Sequence, residues 1–151
     1  MERVDLPALQ FVLVFSFNLI VGFIDANIIP ETRTAGKLVL LSGFGLFLYV
    51  LSYLRTGFLG NTKPVLDHLI TDGPYRFCRH PLYLCFTVML FGTGLYLGSK
   101  LSIIYTVLVS VPSAVYRARK EETLLSIKFG ESWNKYVKKV GLFYPKLKRV
   151  K

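Results

Sequence analysis

The sequence predicts an all-α, polytopic membrane protein, and three observations carry that prediction. Hydrophobic residues make up 52% of the 151-residue chain, and its mean hydropathy is +0.46. A soluble domain of this size has no interior large enough to hide so much apolar surface. The apolar residues gather into four stretches, at about 7–24, 38–54, 81–97 and 101–116. The charge is lopsided, with eleven of the nineteen Lys and Arg lying between Arg117 and the C-terminus. The length suits one domain over 1–151, with the tail at 117–151 as its polar part.

Each apolar stretch has roughly 16–18 residues, about 24–27 Å as helix, the short end of what spans a bilayer. The first is preceded by Glu2, Arg3 and Asp5 and has no small-residue cleavage site, so it is expected to be a span and not a cleaved signal. Asp25 and Asn27 follow it and are expected at the membrane interface. Small residues at Gly43, Gly45, Gly92 and Gly94 within spans two and three predict close helix packing. Only Gly98-Ser99-Lys100 joins spans three and four, which predicts a tight antiparallel hairpin, and Pro112 is expected to bend the fourth helix. The connections on one side carry Arg3, Arg55, Lys63, Arg76, Arg79 and the eleven cations of the tail, sixteen in all. The other side receives Arg33, Lys37 and Lys100. By the positive-inside rule both termini, the Arg55–His80 loop and the tail are expected to be cytoplasmic.

In the tail, Arg117 to Phe129 reads as a helix continuing from the fourth span and stopped by Gly130. Ser132 is placed to cap a second helix through Val140, with Gly141 ending it and Pro145 preventing its resumption. Trp133, Tyr136, Val137 and Val140 share one face, with Lys135, Lys138 and Lys139 largely opposite, the pattern of an amphipathic segment lying at lipid headgroups. No nucleic-acid motif is present, so the positive charge points to membrane lipids and not to nucleic acid. Cys78 and Cys85 have no metal spacing and suggest no disulfide framework; packed thiols are expected, and no metal site. His68 is expected to be a solvated loop residue.

The chemistry concentrates in Asp72-Gly73-Pro74-Tyr75-Arg76-Phe77-Cys78-Arg79-His80-Pro81-Leu82-Tyr83. Pro81 suits the first turn of span three, so Arg79 and His80 stand at a positive helix N-terminus that favours an anion, and Tyr83 follows one turn later. Just past span four come Arg117, Arg119, Lys120, Glu121 and Glu122. Arg117–Glu121 and Arg119–Glu122 have the spacing of ordinary helix ion pairs. The hairpin nevertheless brings the end of span four beside the start of span three. Arg79, His80, Tyr83, Glu121 and Glu122 are therefore expected to meet at one cytoplasmic mouth, suited to a zwitterionic or nucleoside-like cosubstrate and a lipophilic partner.

Two blocks of the sequence resemble the integral membrane methyltransferases of the isoprenylcysteine carboxyl methyltransferase and phospholipid N-methyltransferase group. The first is Leu69-Ile70-Thr71-Asp72-Gly73-Pro74-Tyr75-Arg76 with Arg79-His80-Pro81-Leu82-Tyr83. The second is Arg117-x-x-x-Glu121-Glu122 followed by Leu125, Phe129-Gly130, Trp133, Tyr136, Val140 and Pro145. The resemblance covers about Leu66 to Pro145. It implies S-adenosylmethionine-dependent methyl transfer to a lipophilic acceptor, such as an isoprenylcysteine carboxylate or a related lipid. In that resemblance His80, Pro81 and Tyr83 contact the cofactor, Glu121 and Glu122 bind its amino or ribose groups, and Tyr75 shapes the adenine or substrate side. Arg79, assisted by Glu122, orients an acceptor carboxylate as the catalytic pair. Cys85 stands where the family often has glycine. An NADPH-dependent reductase of the sterol type carries a similar Arg-His-Pro and Trp-x-x-Tyr signature in a longer chain, and a non-enzymatic membrane subunit keeping the fold is a third reading. The sequence fixes neither the acceptor nor the oligomeric state.

Overall fold

The computed structural model describes residues 6–27, 30–54 and 69–146. Arg3, Arg55, Lys63 and His68, used above for orientation or placed in a loop, lie outside the described residues. The order is α1 (Leu6–Ile24), α2 (Pro30–Leu54), a 3₁₀ turn at Gly73–Arg76, α3 (Pro81–Leu97), α4 (Lys100–Tyr105), a π segment (Thr106–Ser110) and α5 (Val111–Lys139). Among the described residues there is no strand, only an isolated parallel bridge between Cys78 and Gly141. Two helices are long and apolar enough to cross a membrane, Glu31–Leu54 and Lys100–Lys139, and Val12–Ile24 and Pro81–Leu97 are shorter apolar helices.

Helix α2 starts at Pro30, two turns before the apolar stretch at Leu38, because Pro at the first position and Glu31 in the first turn extend it through polar sequence. Its main partner is α3, and glycines set the distance between them. A Cβ on Gly36 would run into the backbone of Tyr96, and one on Gly92 would lie 2.6 Å from the Leu40 nitrogen. Gly43 packs on Met89 and Val88, and Gly94 on Ile103. Gly45 has open space around it and takes no part in this packing.

The hairpin is tighter than expected, with two connecting residues instead of three. Gly98 takes the left-handed conformation at φ 64 that closes α3, and the Ser99 side chain accepts from the Ser102 N–H to open α4. The Asp25 carboxylate accepts from the Ser99 hydroxyl at 3.0 Å and from the Leu101 N–H at 2.9 Å, fastening the end of α1 to the start of α4. The Asn27 N–H is likewise taken up by the Leu97 carbonyl at 2.9 Å.

Pro112 acts upstream of itself. The irregularity lies at Thr106–Ser110, where the Val111 N–H reaches back to the Thr106 carbonyl in a π-type turn. One extra residue per turn there accommodates the hydrogen bond that Pro112 cannot make. The π segment faces a fully buried Asn18. Asn18 donates to Thr106 at 2.8 Å and to Ser110 at 3.1 Å, and accepts from Ser102 at 2.7 Å. Small hydroxyl residues at 102, 106 and 110 make one polar stripe that α1 reads with a single amide. Replacing Asn18 by Leu is expected to lower stability in detergent by about 1–2 kcal/mol, seen as a lower thermal midpoint, since interhelical hydrogen bonds in membranes have about this strength.

Helix α5 runs through Phe129 and is stopped at Gly130, with a second helical half beyond it, as the sequence predicts. Gly130 has φ 49 and ψ −118, and helix continues on either side as far as Lys139. Val140 is already extended, and Gly141 is required not as a helix stop but because a Cβ there would strike the Tyr144 carbonyl. The amphipathic face meets protein in place of headgroups. Trp133, Tyr136 and Val140 are buried against Leu69, Tyr75, Leu125, Phe129 and Val137. The break at Gly130 turns this face inward, and Lys138 and Lys139 remain exposed.

Candidate functional site

The site is assembled where the segment before α3 meets the segment after α5. Gly73, at φ 54, opens the 3₁₀ turn, and a Cβ there would enter the Tyr53 ring, so the turn is seated on the end of α2. From Cys78 onward the two segments are stitched together by backbone hydrogen bonds. The Arg79 N–H donates to the Gly141 carbonyl at 2.9 Å and the His80 N–H to the Leu142 carbonyl at 3.2 Å. Pro81, fully buried, then starts α3.

This stitching brings together five of the residues singled out in the sequence. The Arg79 Nε lies 2.7 Å from a Glu122 carboxylate oxygen. The same Glu122 oxygen is 3.4 Å from His80 Nε2, and His80 Nδ1 is 3.7 Å from Glu121. Tyr83 donates its hydroxyl to Glu121 at 2.9 Å and accepts from Arg117 Nε at 2.7 Å. The His80 ring stacks on Tyr83 with 5.6 Å between centroids and meets the edge of Phe143 at 6.5 Å. The result is a continuous polar chain from Arg117 through Tyr83, Glu121, His80 and Glu122 to Arg79. Ala114 and Ala118, one turn apart and buried, let α5 close onto Tyr83, with Leu142 and Phe143 covering them.

Tyr75 stands to one side of this chain. Its carbonyl accepts from the Tyr136 hydroxyl at 2.7 Å, and its ring packs with Trp133, Tyr136 and Val140. Burial, reinforced by the charge of Glu121, pushes its phenol well above the usual tyrosine range. Partial burial works to raise Glu122, but the His80 imidazole and the Arg79 charge outweigh it and hold the carboxyl below its ordinary value. Cys78 and Cys85 are buried free thiols. Burial pushes Cys78 up to about 11, against a small opposing effect of the His80 backbone. At neutral pH Cys78 is therefore expected to resist maleimide labelling in the folded protein, and labelling as fast as a denatured control would contradict this.

Two participants were not singled out by sequence reasoning as site residues. Arg117 was read as a partner of Glu121 along its own helix, yet its position one turn before Glu121 also points it at Tyr83. Tyr136 was read as part of a lipid-facing stripe. The other surprise is Arg79 Nη1, which donates to the carbonyls of Val137 at 3.2 Å and Val140 at 2.9 Å. Those acceptors are backbone atoms at the end of a helix whose direction depends on Gly130, and no residue pattern announces them.

The donor set suits S-adenosylmethionine. His80 Nε2 and Glu122 Oε1 are buried and approach each other at 3.4 Å without an aligned hydrogen bond. Groups in that state gain by binding a polar ligand that offers better geometry. The imidazole suits a carboxylate, two glutamates suit an ammonium or ribose hydroxyls, and Tyr83 and Phe143 supply ring surfaces.

Residues 32–132 match the phospholipid methyltransferase family. The chain belongs to this family. It is 40% identical over 75 residues to protein-S-isoprenylcysteine O-methyltransferase of Schizosaccharomyces pombe, a match covering 49% of this chain and 32% of the relative. It is 34% identical over 84 residues to the nickel-cobalt-cadmium resistance protein NccN of Alcaligenes xylosoxydans xylosoxydans, covering 52% and 37% respectively. The cobalt-zinc-cadmium resistance protein CzcN of Cupriavidus metallidurans is 35% identical over 81 residues, covering 52% and 36%. The chain thus spans about a third of the length of the relatives it matches.

Proposed function

We propose that this member of the phospholipid methyltransferase family is an S-adenosylmethionine-dependent enzyme that methylates a lipophilic acceptor at the cytoplasmic face of a membrane. The observation that carries the reading is the meeting of Arg79, His80, Tyr83, Glu121 and Glu122 at the open end of the α3–α5 hairpin. In this reading α1, α2, α3 and the first part of α4–α5 all cross the bilayer, and both termini are cytoplasmic, as the distribution of Lys and Arg favours.

When bound, S-adenosylmethionine would supply a methyl group on sulfonium, whose carbon an acceptor oxygen or nitrogen would attack in line as the S–CH3 bond breaks and the neutral thioether leaves. The chain's own residues then have three tasks. Glu121 and Glu122 hold the ammonium or the ribose hydroxyls, with Glu122 kept ionised by Arg79 and His80. His80, Pro81, Tyr83 and Tyr75 shape the walls, and Leu142 and Phe143 exclude water. No covalent nucleophile is needed, because alignment and exclusion of water supply much of the barrier reduction in such a displacement. A cleft of about 290 Å³ between α1, α2 and α3, lined by Phe15, Leu19, Leu40, Phe86 and Met89, offers apolar room for an acceptor's chain.

The test is label transfer. Purified protein in nanodiscs, given methyl-labelled S-adenosylmethionine with an S-prenylated cysteine or phosphatidylethanolamine, is expected to move label into the organic phase. No label in any lipid or prenylated acceptor, with folded protein, would contradict the reading.

A further inference from the structure

The guanidinium of Arg79 joins parts of α5 that Gly130 separates. Before the break it meets Glu122 through Nε, at 2.7 Å. Beyond the break it meets the carbonyls of Val137 and Val140 through Nη1. These carbonyls belong to the C-terminal end of a helix, where the dipole favours a cation. Gly130 itself is exposed, and a Cβ there would touch nothing, so its role is the backbone angle and not close packing. The second half of α5 carries Trp133 and Tyr136 against the Tyr75 turn, and its continuation carries the Gly141 and Leu142 carbonyls that hold the Arg79 and His80 backbone. Arg79 has a side-chain exposure of only 9%. With Nε and Nη1 both engaged, it has little surface with which to greet an acceptor arriving from the lipid.

We propose that Arg79 is a positioning residue, which sets the angle between the two halves of α5 and thereby closes residues 131–142 over the site and aims the Glu122 carboxylate into it. This differs from the role the family resemblance implies, in which Arg79 orients the acceptor. It rests on the cofactor reading only in its consequence for affinity; the closure itself is a property of the chain alone. Lys in its place keeps one charge for Glu122 but lacks the planar fork that reaches two carbonyls and a carboxylate together.

Trp133 is the single tryptophan of the chain, and at 4% exposure it reports directly on closure. The full chain in nanodiscs is compared as wild type, Arg79→Gln and Arg79→Lys, by acrylamide quenching of Trp133 and by calorimetric titration with S-adenosylhomocysteine. Arg79→Gln is expected to raise the quenching constant about twofold or more, as docked helix ends undock when their hydrogen bonds to a charged group are lost. It should also weaken S-adenosylhomocysteine by about tenfold or more, with the loss in kcat/KM lying in KM more than in kcat. Arg79→Lys should fall between the two in both respects. If the Gln variant does not fold, the Lys variant carries the same readouts. Unchanged quenching in a folded variant would overturn the proposal. So would a collapse of kcat with S-adenosylhomocysteine affinity intact, which would place Arg79 on the acceptor. Wild type that fails to bind S-adenosylhomocysteine would remove the cofactor reading alone, and quenching would still decide the closure.

Discussion

Glu122→Gln is expected to weaken S-adenosylhomocysteine binding by about 10- to 100-fold, at unchanged expression. The substitution keeps the shape of the side chain and removes its charge. Arg79 and His80, both largely buried, then face a neutral amide where they had a carboxylate, and a charge left without its partner in such a place is costly. Equal affinity in wild type and variant, by calorimetry, would remove Glu122 from the cofactor site. The same residue sets an acid limb. Its folded-state pKa lies below the ordinary carboxylate value, so its stabilising contribution is fully present above that ordinary value. That contribution is lost only as pH falls through the depressed one. Thermal midpoints of the wild type should therefore hold from neutral pH down to the ordinary carboxylate value and decline between it and the depressed one. In Glu122→Gln the part of that decline due to this residue should be missing, and superimposable pH profiles would contradict the assignment.

Gly92→Val is expected to lower stability sharply. A Cβ at this position would lie 2.6 Å from the Leu40 nitrogen and 2.9 Å from its Cα. Those are backbone atoms of α2, which cannot move aside as a side chain can, so the two helices must separate. Overpacking of this kind typically costs about 1–3 kcal/mol, and Val adds two methyl groups to the clash. Gly45→Ala is the matched control: nothing lies within 4 Å of its Cβ, and removing a helical glycine should leave the protein as stable or slightly more so. Thermal unfolding of the two variants in one detergent decides the matter. A Gly92→Val midpoint equal to that of Gly45→Ala would show that α2 and α3 do not pack through these glycines.

The parts of the molecule that were legible in the sequence are those fixed by local chemistry. Helix α3 begins at Pro81 and ends at Leu97 because proline opens it and Gly98 closes it, and both are visible as single residues. The grouping of Arg79, His80, Tyr83, Glu121 and Glu122 was legible for a different reason: a short hairpin leaves the two helix ends no alternative but to be neighbours. What stayed hidden depends on groups far apart in the chain. Asn18 is an unremarkable polar residue in an apolar stretch until α1 is placed against Ser102, Thr106 and Ser110, some ninety positions later. Trp133 and Tyr136 form an amphipathic stripe that lipid or protein can cover equally well, and periodicity does not distinguish the two covers. The answer lies in Gly130, whose left-handed φ turns the stripe back on the Tyr75 turn. Pro112 was read correctly as a disturbance, but its effect is absorbed one turn earlier, where Thr106 accepts from Val111 across a wider turn.

The central claim is that the polar mouth between α3 and α5 is a site for S-adenosylmethionine. Calorimetric titration of the purified, folded protein with S-adenosylhomocysteine, run beside NADPH, tests it most directly. Saturable binding of S-adenosylhomocysteine with no heat from NADPH is the expected result. Saturable binding of NADPH alone, or of neither compound, would contradict it.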